Sequence, residues 1–516
     1  PGLLDGHIHI ESSMITLTEF SKVVIPRGTS AIFIDPHEIA NVLGLKGIQL
    51  IIEESKKLPL KVFICIPSCV PASSNEFETS GAKIDLEDII ELLSLENVIG
   101  LAEVMNYPSV ISAEEDILNK IKATIKAGKI VEGHAPKVLG SNLCAYVSAG
   151  ISSCHESTSL HEAAEKMRIG MTLMIREGSA WKDLANVIKV ITKMKLNSRK
   201  VCLVSDDRHP EDLVKEGHVD HLIRRAIEEG VDPIVAIQMA TLNTAEHYNL
   251  DLHIGGLAPP RYADIIIVDN LEKFKVEKVI LDGKLIANNG ELLVKIPKTS
   301  YPKFAMKTVN VKRKITINDF KVKAKGNNVR VNVIEVFEDS ILTKKRIEKL
   351  SVENNEVKVD LNKDVIKVGV IERHKATGNI SVGFVKGFNI KEGAAAQTIA
   401  HDSHNIVVVG ASEEDMVIAV NKLIEINGGI TVVKNGKIIA LLELPIAGLM
   451  SDKEIETVCQ KINNIKKAWR DLGCEMKSPF MTMSMLALPV IPEIRITDKG
   501  LIDVNNFKKI NLILDQ

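Results

Sequence analysis

Aromatic residues make up only 4% of the chain, too few for the stacking platforms on which single-stranded nucleic acid is held. Charge of one sign is missing too. Against 65 lysines and arginines stand 67 aspartates and glutamates, a formal net charge of -2, which leaves no basic footprint for nucleic acid or an anionic membrane. No run of about 18 apolar residues is present, and the N-terminus lacks a charged segment leading into an apolar one. Neither a spanning helix nor a secretion signal is therefore expected. The seven cysteines, at 65, 69, 144, 154, 202, 459 and 474, are scattered and include no C-x-x-C pair, which points to a reduced, cytoplasmic compartment. No G-x-G-x-x-G or G-x-x-x-x-G-K-[ST] follows a strand-like run, so dinucleotide and P-loop chemistry have no support. What remains is an ordinary globular composition suited to a small neutral partner.

At 516 residues the chain is too long for one core and calls for two or three domains. Short apolar runs ending in polar groups recur at Leu3 to Ile10, Ala31 to Asp35, Lys61 to Pro67, Ile99 to Met105, Ile130 to His134, Ile151 to Glu156, Thr172 to Glu177 and Val201 to Asp207. Between them lie segments such as 85–93 and 159–167, with apolar residues at helical spacing. Eight strand–helix alternations predict an α/β fold, a (β/α)8 TIM-type barrel over residues 1–253, in preference to a doubly wound open sheet. Residues 254–298 read as a small β subdomain, with turns at Asp269-Asn270 and Asp282-Gly283. From 299 to 516 alternating strands with helices at Glu413 to Ile426 and Asp452 to Leu472 predict a separate α+β domain. The chain opens on Pro1 instead of Met. Residues that ordinarily precede it are expected to be missing, leaving the β subdomain truncated unless later strands complete it.

The chemistry of such a barrel gathers where the strands' C-terminal ends meet. If Leu3 to Ile10 is one strand, alternation puts His7, His9 and Glu11 on one face at steps of about 6.6 Å. Alone, an His-x-His pair is a weak signal, and each other strand-end residue has a bland reading as a loop hydrogen-bonder or helix cap. Together, His7 and His9 on strand 1, Glu103 on strand 4, His134 on strand 5, His155 on strand 6 and Asp206 on strand 8 form a coherent ligand set. Four imidazoles and two carboxylates suit two divalent metals with one carboxylate bridging. Paired metals lower the pKa of a shared water from about 15.7 toward 7, which implies hydrolysis by a bridging hydroxide. Asp206 is the expected catalytic proton carrier, taking the water's proton and passing it to the leaving group, with Asp207 orienting.

The run Pro1 to His9, the single histidines on strands 5 and 6, and the aspartate on strand 8 resemble the amidohydrolase superfamily. Within it, His7 to Met14, Asp35-Pro36-His37-Glu38, Ser205-Asp206-Asp207-Arg208, Ala396 to Asn405, and Pro479 to Thr482 through Pro492-Glu493 are similar to the bacterial and archaeal adenine deaminases, over nearly the whole chain. The resemblance implies hydrolysis of adenine to hypoxanthine and ammonia, in purine salvage, at a dinuclear manganese or iron centre. Zinc is also compatible with the ligands, and a homodimer or higher homo-oligomer is implied. Where many superfamily members bridge their metals with a carboxylated lysine on strand 4, this sequence has Glu103, which carries the same charge without needing carbon dioxide.

Attack at C6 of a purine also needs a proton on a ring nitrogen. Glu38 is the first candidate for that donor, and Glu11, His37 and Asp207 are candidates for binding the base; helix capping is the rival account of Glu11, His37 and Glu38. His401-Asp402-Ser403-His404 has poor geometry for a triad and is read first as structural, with substrate closure or a dimer contact second. His161, His218, His221 and His247 fall in helical patterns, where packing or exposure is the default, and His209 could reach the site's rim. The competing enzyme reading is hydrolysis of another nucleobase or cyclic amide, of the hydantoinase or dihydroorotase kind, which Glu103 disfavours. A metal-containing but inactive binding module would be expected to lack a ligand, and all six are present.

Overall fold

The computed structural model describes residues 1–338 and 340–514. They form two compact units, one of residues 1–37, 48–69 and 84–300, the other of 38–47, 70–83 and 301–516.

In the first unit all eight strands foreseen in the sequence are present: β1 (Leu3–Ile8), β2 (Thr29–Ile34), β3 (Lys61–Pro67), β4 (Val98–Val104), β5 (Ile130–Gly133), β6 (Ser153–Cys154), β7 (Thr172–Arg176) and β8 (Val201–Val204). They run parallel in the order β1-β2-β3-β4-β5 and β6-β7-β8. A parallel bridge between Ile8 and Asp206 joins β8 to β1, and Ser152 N donates to Val131 O at 2.9 Å where β5 meets β6. The ring is thus a closed (β/α)8 barrel.

Alternation along each strand explains its two cores. Leu3, Leu173, Ile175 and Leu203 pack outward against helix residues such as Ala163, Leu184, Leu222 and Met239. Their neighbours Leu4, Met174, Cys202 and Val204 fill the inside with Phe33, Cys65 and Tyr248. Helices start where the sequence caps them: Asp85 and Asp88 form a reciprocal capping box at Leu86–Leu93, and the Ser159 hydroxyl accepts from Glu162 N at Leu160–Arg168, satisfying donors the first turn leaves open.

One expectation is corrected. β1 stops at Ile8, and Ile10–Ser13 is a 3-10 turn. The Ser13 hydroxyl donates to Ile10 O at 2.5 Å and Met14 N to Glu11 O at 2.8 Å, with Met14 left-handed at φ 57°. These local bonds satisfy the backbone without a sheet partner, so Glu11 does not continue the alternation of β1, whereas His9, still extended at φ -105° and ψ 107°, keeps to the side of His7. Residues 265–292 form a four-stranded antiparallel sheet of Ile265–Val268, Val276–Leu281, Lys284–Asn288 and Glu291–Leu292.

The second unit holds a nine-stranded mixed sheet between Asn328 and Glu443 and a three-stranded one between Ile494 and Ile510. Helix Glu413–Ile426 ends at left-handed Asn427 (φ 61°), as its sequence suggested, and Ile455–Asp471 is the second long helix. Among the described residues no helix is long and apolar enough to cross a membrane.

Two predictions follow from packing. A Cβ on Gly133 would sit 2.4 Å from the Ser153 carbonyl oxygen, a backbone atom that cannot move alone, so Gly133→Ala is expected to cost about 1 to 3 kcal/mol; an unchanged denaturation midpoint would refute this. In the second unit, burial pushes the Glu78 carboxyl up to about 7. Its folded form therefore holds a proton that the unfolded chain releases near pH 4.5, and stability falls as pH rises from there through 7, by about 3 kcal/mol. Glu78→Gln should flatten that decline in melts at pH 5 and pH 8; identical slopes in both proteins would refute the assignment.

Candidate metal centre

The six expected ligands all lie at the C-terminal ends of barrel strands and converge. His7 Nε2 and His9 Nε2 are 3.2 Å apart. Asp206 Oδ1 lies 3.2 Å from His9 Nε2 and 3.7 Å from His7 Nε2. Glu103 divides the donors between its two oxygens. Oε1 lies 3.3 Å from His9 Nε2, whereas Oε2 lies 2.7 Å from His134 Nδ1 and 3.1 Å from His155 Nε2. Two sets result: His7, His9 and Asp206 on one side of the carboxylate, His134 and His155 on the other.

Several of the donors are held from outside the cluster. Tyr146, buried, accepts from His134 N at 3.0 Å and donates to Val104 O at 2.6 Å, tying the ends of β4 and β5. Asp5 accepts from Ser205 N at 3.0 Å and from the Ser205 hydroxyl at 2.5 Å, and His218 Nε2 sits 2.7 Å from its other side. That network fixes the residue before Asp206, which is itself left-handed at φ 57°, a conformation aspartate tolerates better than most side chains. His218, assigned by default to packing, thus supports the site indirectly.

The tautomer of His9 tests whether these donors fit a metal. Its Nδ1 faces the Asp35 carbonyl oxygen at 2.9 Å and so must carry the hydrogen. In the neutral ring Nε2 is then a bare lone pair, yet it points at two carboxylate oxygens and another imidazole nitrogen. A proton on Nε2 or a bound cation resolves that arrangement, and borderline divalent metals take these ligand types.

Protonation preferences agree. Burial lowers the basicity of His7 well below an ordinary imidazole's. Burial works the same way on His9 and His155 but is overridden by Asp206 and Glu103, which hold His9 well above its usual value and push His155 up to about 9. Burial also opposes charge on Glu103 and Asp206. It is overcome by His134 and His155 around the first, and by His9 and Arg176 beside the second, and both carboxyls stay well below their usual range. The cluster demands positive charge, as metal ligands do.

The remaining sequence candidates fall at different places. His37 Nδ1 is 3.1 Å from Asp35 Oδ2 and 3.4 Å from Glu103 Oε1, close enough that His9, Asp35, His37 and Glu103 form a further group of ligand type. Glu11 is buried in the 3-10 turn after β1, and Asp207 accepts a short hydrogen bond from the Ser12 hydroxyl. Glu38 belongs to the second unit. There its carboxylate is 2.7 Å from His401 Nδ1 and in contact with His404 Nε2. His404 Nδ1 accepts from Ala400 N at 3.1 Å, and burial pushes the ring down to about 4, so it is neutral and its Nε2–H donates to Glu38.

Sequence reasoning missed Arg176 and Glu156. Arg176 Nη1 donates to Asp206 Oδ2 at 2.9 Å and also meets Glu156. A charged residue ending the otherwise apolar run Thr172 to Ile175 was the available signal.

Comparison with known proteins decides the family. A model described as "Amidohydrolase family" matches residues 1–286, more than half of the chain. The chain belongs to the amidohydrolase family. Residues 340–508 of this amidohydrolase match a second model, "Adenine deaminase C-terminal domain". Curated relatives agree. The adenine deaminase of Clostridium botulinum is 45% identical over all of this chain and 86% of its own length. Those of Archaeoglobus fulgidus (46%, 100% of this chain, 87% of the relative) and Clostridium acetobutylicum (47%, 98% and 88%) are similar. A solved β-aspartyl dipeptidase from Fervidobacterium islandicum is 18% identical, over 57% of this chain and 84% of that one, with a TM-score of 0.42. The resemblance to adenine deaminases read from the motifs is borne out.

Removing the shared carboxylate of this amidohydrolase should loosen both donor sets. Glu103→Ala is expected to retain at least tenfold less divalent metal after dialysis, measured by elemental analysis; retention equal to wild type would show that these donors hold no metal.

Proposed function

We propose that this chain hydrolyses adenine to hypoxanthine and ammonia at the strand-end cluster of its barrel. The observation that carries the reading is Glu103, whose two oxygens face two separate sets of ligand-type side chains, in a chain 45% identical over its whole length to a curated adenine deaminase. Residues 1–253 serve as the catalytic barrel, 254–298 as the small β subdomain and 299–516 as the adenine-deaminase-type domain. His7, His9, Glu103, His134, His155 and Asp206 are the proposed ligands of two divalent metal ions, manganese or iron first. Such metals supply Lewis acidity that activates water near neutral pH.

The chain's own residues then have to move two protons. Of the two protons of water, one ends on a ring nitrogen and one on the departing ammonia, as the C6–O bond forms and the C6–N bond breaks. Glu38 delivers the first and is reprotonated at the water's expense; its carboxylate is held by the neutral His404 and by His401. Asp206 carries the second, through the oxygen that faces His9. Glu11, His37 and Asp207 read the base, each buried so that a hydrogen bond to the purine would not compete with bulk water. The proposed compartment is the cytoplasm, supported by seven scattered cysteines without a C-x-x-C pair.

The reading is tested by following ammonia release from manganese-loaded protein over adenine, adenosine, guanine, cytosine and dihydroorotate. Adenine should be turned over at least a hundredfold faster than the others, and Glu38→Gln should lower kcat by about 10² to 10⁴. Turnover of dihydroorotate but not adenine would move the function to cyclic-amide hydrolysis.

A further inference from the structure

We infer that Arg176 is a positioning residue for Asp206, anchored by Glu156 and Asp183 so that the aspartate presents one chosen oxygen to the cluster. The inference rests on the reading of Asp206 as ligand and proton carrier. Arg176 ends β7 and is 3% exposed. Its guanidinium is shared by three carboxylates: Nη1 donates to Asp206 Oδ2 at 2.9 Å and meets Glu156 Oε1, and Nε donates to Asp183 Oδ2 at 2.9 Å. Trp181 lies beside it, ring centre 5.7 Å from the guanidinium carbon.

The consequence lies in the two oxygens of Asp206. Oδ2 is taken by Arg176, while Oδ1 faces His9 and His7. A guanidinium does not give up its proton in a protein, so a proton carried by Asp206 rests on Oδ1 or breaks the bond to Arg176. The planar fork therefore sets the rotation of the carboxylate and the atom through which it acts.

A purely structural role fits the surroundings less well. Three carboxylates around one cation, Asp206 and Glu156 buried and Asp183 half-buried, leave an excess of negative charge, and a buried ion pair offers no clear stability advantage over an apolar pair of the same volume. Glu156 directly follows His155, and Arg176 ends β7, which pairs with the strand that leads to Asp206, so the anchor stands among the strand ends that carry the proposed metal donors. Partners of this kind typically govern affinity and rate by 10- to 100-fold.

The test uses Arg176→Lys and a charge-balanced double variant, Arg176→Met with Glu156→Gln, which leaves no additional buried charge should Arg176→Met alone misfold. In the double variant kcat for adenine should fall about a hundredfold with KM within threefold of wild type, and divalent metal retained after dialysis should fall about tenfold. The lysine, a point charge without the fork, should recover part of the rate. A double variant that matches wild type in both kcat and metal retention overturns the inference. So does a rise in KM at unchanged kcat, which would make Arg176 a substrate contact. If wild type releases no ammonia from adenine, the metal-retention measurement still decides the positioning of Asp206 independently of the substrate.

Discussion

A buried carboxylate that faces imidazoles from three other strands cannot be placed by its own strand. Glu103 meets His9 with one oxygen and His134 and His155 with the other, which requires the ends of β1, β4, β5 and β6 to stand within a few ångströms of a common point. An open sheet would spread those ends apart by nearly 5 Å per strand. Closure brings them together, and the devices that enforce closure cluster near the site. Gly133 admits the β6 backbone, Tyr146 clamps β4 to β5, and Asp5 clamps β1 to β8 through Ser205. The polar centre and the apolar barrel are therefore one problem: the core excludes water from the cluster, and the cluster carries charge that only a dry, rigid ring can hold in register.

The barrel was legible in the sequence because each strand is buried on both sides and reads as a short apolar run. The six proposed ligands were legible as candidates because they end those runs. Less visible was how β1 ends. Period-two alternation through Ile10 put His7, His9 and Glu11 on one face, whereas the chain turns at Ile10–Ser13 on local bonds from Ser13 and Met14. His9, just ahead of the turn and still extended, stays beside His7, and Glu11 is the residue that leaves the alternation. Arg176 and Glu156 were missed for a related reason. Arg176 is not a metal ligand, Glu156 groups with His134 and His155 only in three dimensions, and their importance depends on which strands are neighbours in the barrel, which no local pattern encodes. Residues 38–47 and 70–83 group with the second unit, and nothing in their composition distinguishes them from the helices and loops around them.

The run His401 to His404, in the motif Ala396 to Asn405, reads first as structural. Its histidines hold a glutamate from far earlier in the chain, Glu38. The tautomer settles how. Because His404 Nδ1 accepts from Ala400 N, its other nitrogen has a hydrogen to give, and a neutral donor steadies Glu38 without adding the full positive charge that would favour its ionised form. A clamp of that kind is compatible with the proton-donor role proposed for Glu38, whereas an arginine in the same place would hold the carboxylate ionised.

The same contrast separates Glu103 from Asp206. Both oxygens of Glu103 are committed to imidazoles of the cluster, so protonating either would break a contact on which one donor set depends. Asp206 splits its commitments: Oδ2 to a guanidinium outside the cluster, Oδ1 to the nitrogens within it. A proton on Oδ1 disturbs the contacts to His9 and His7 but leaves the Arg176 bond intact, so a bond outside the cluster holds the side chain while its charge changes. The two carboxylates are thereby set apart by their neighbours. That difference supports the proposed roles of Asp206 as carrier of the second proton and of Glu103 as the link between the donor sets.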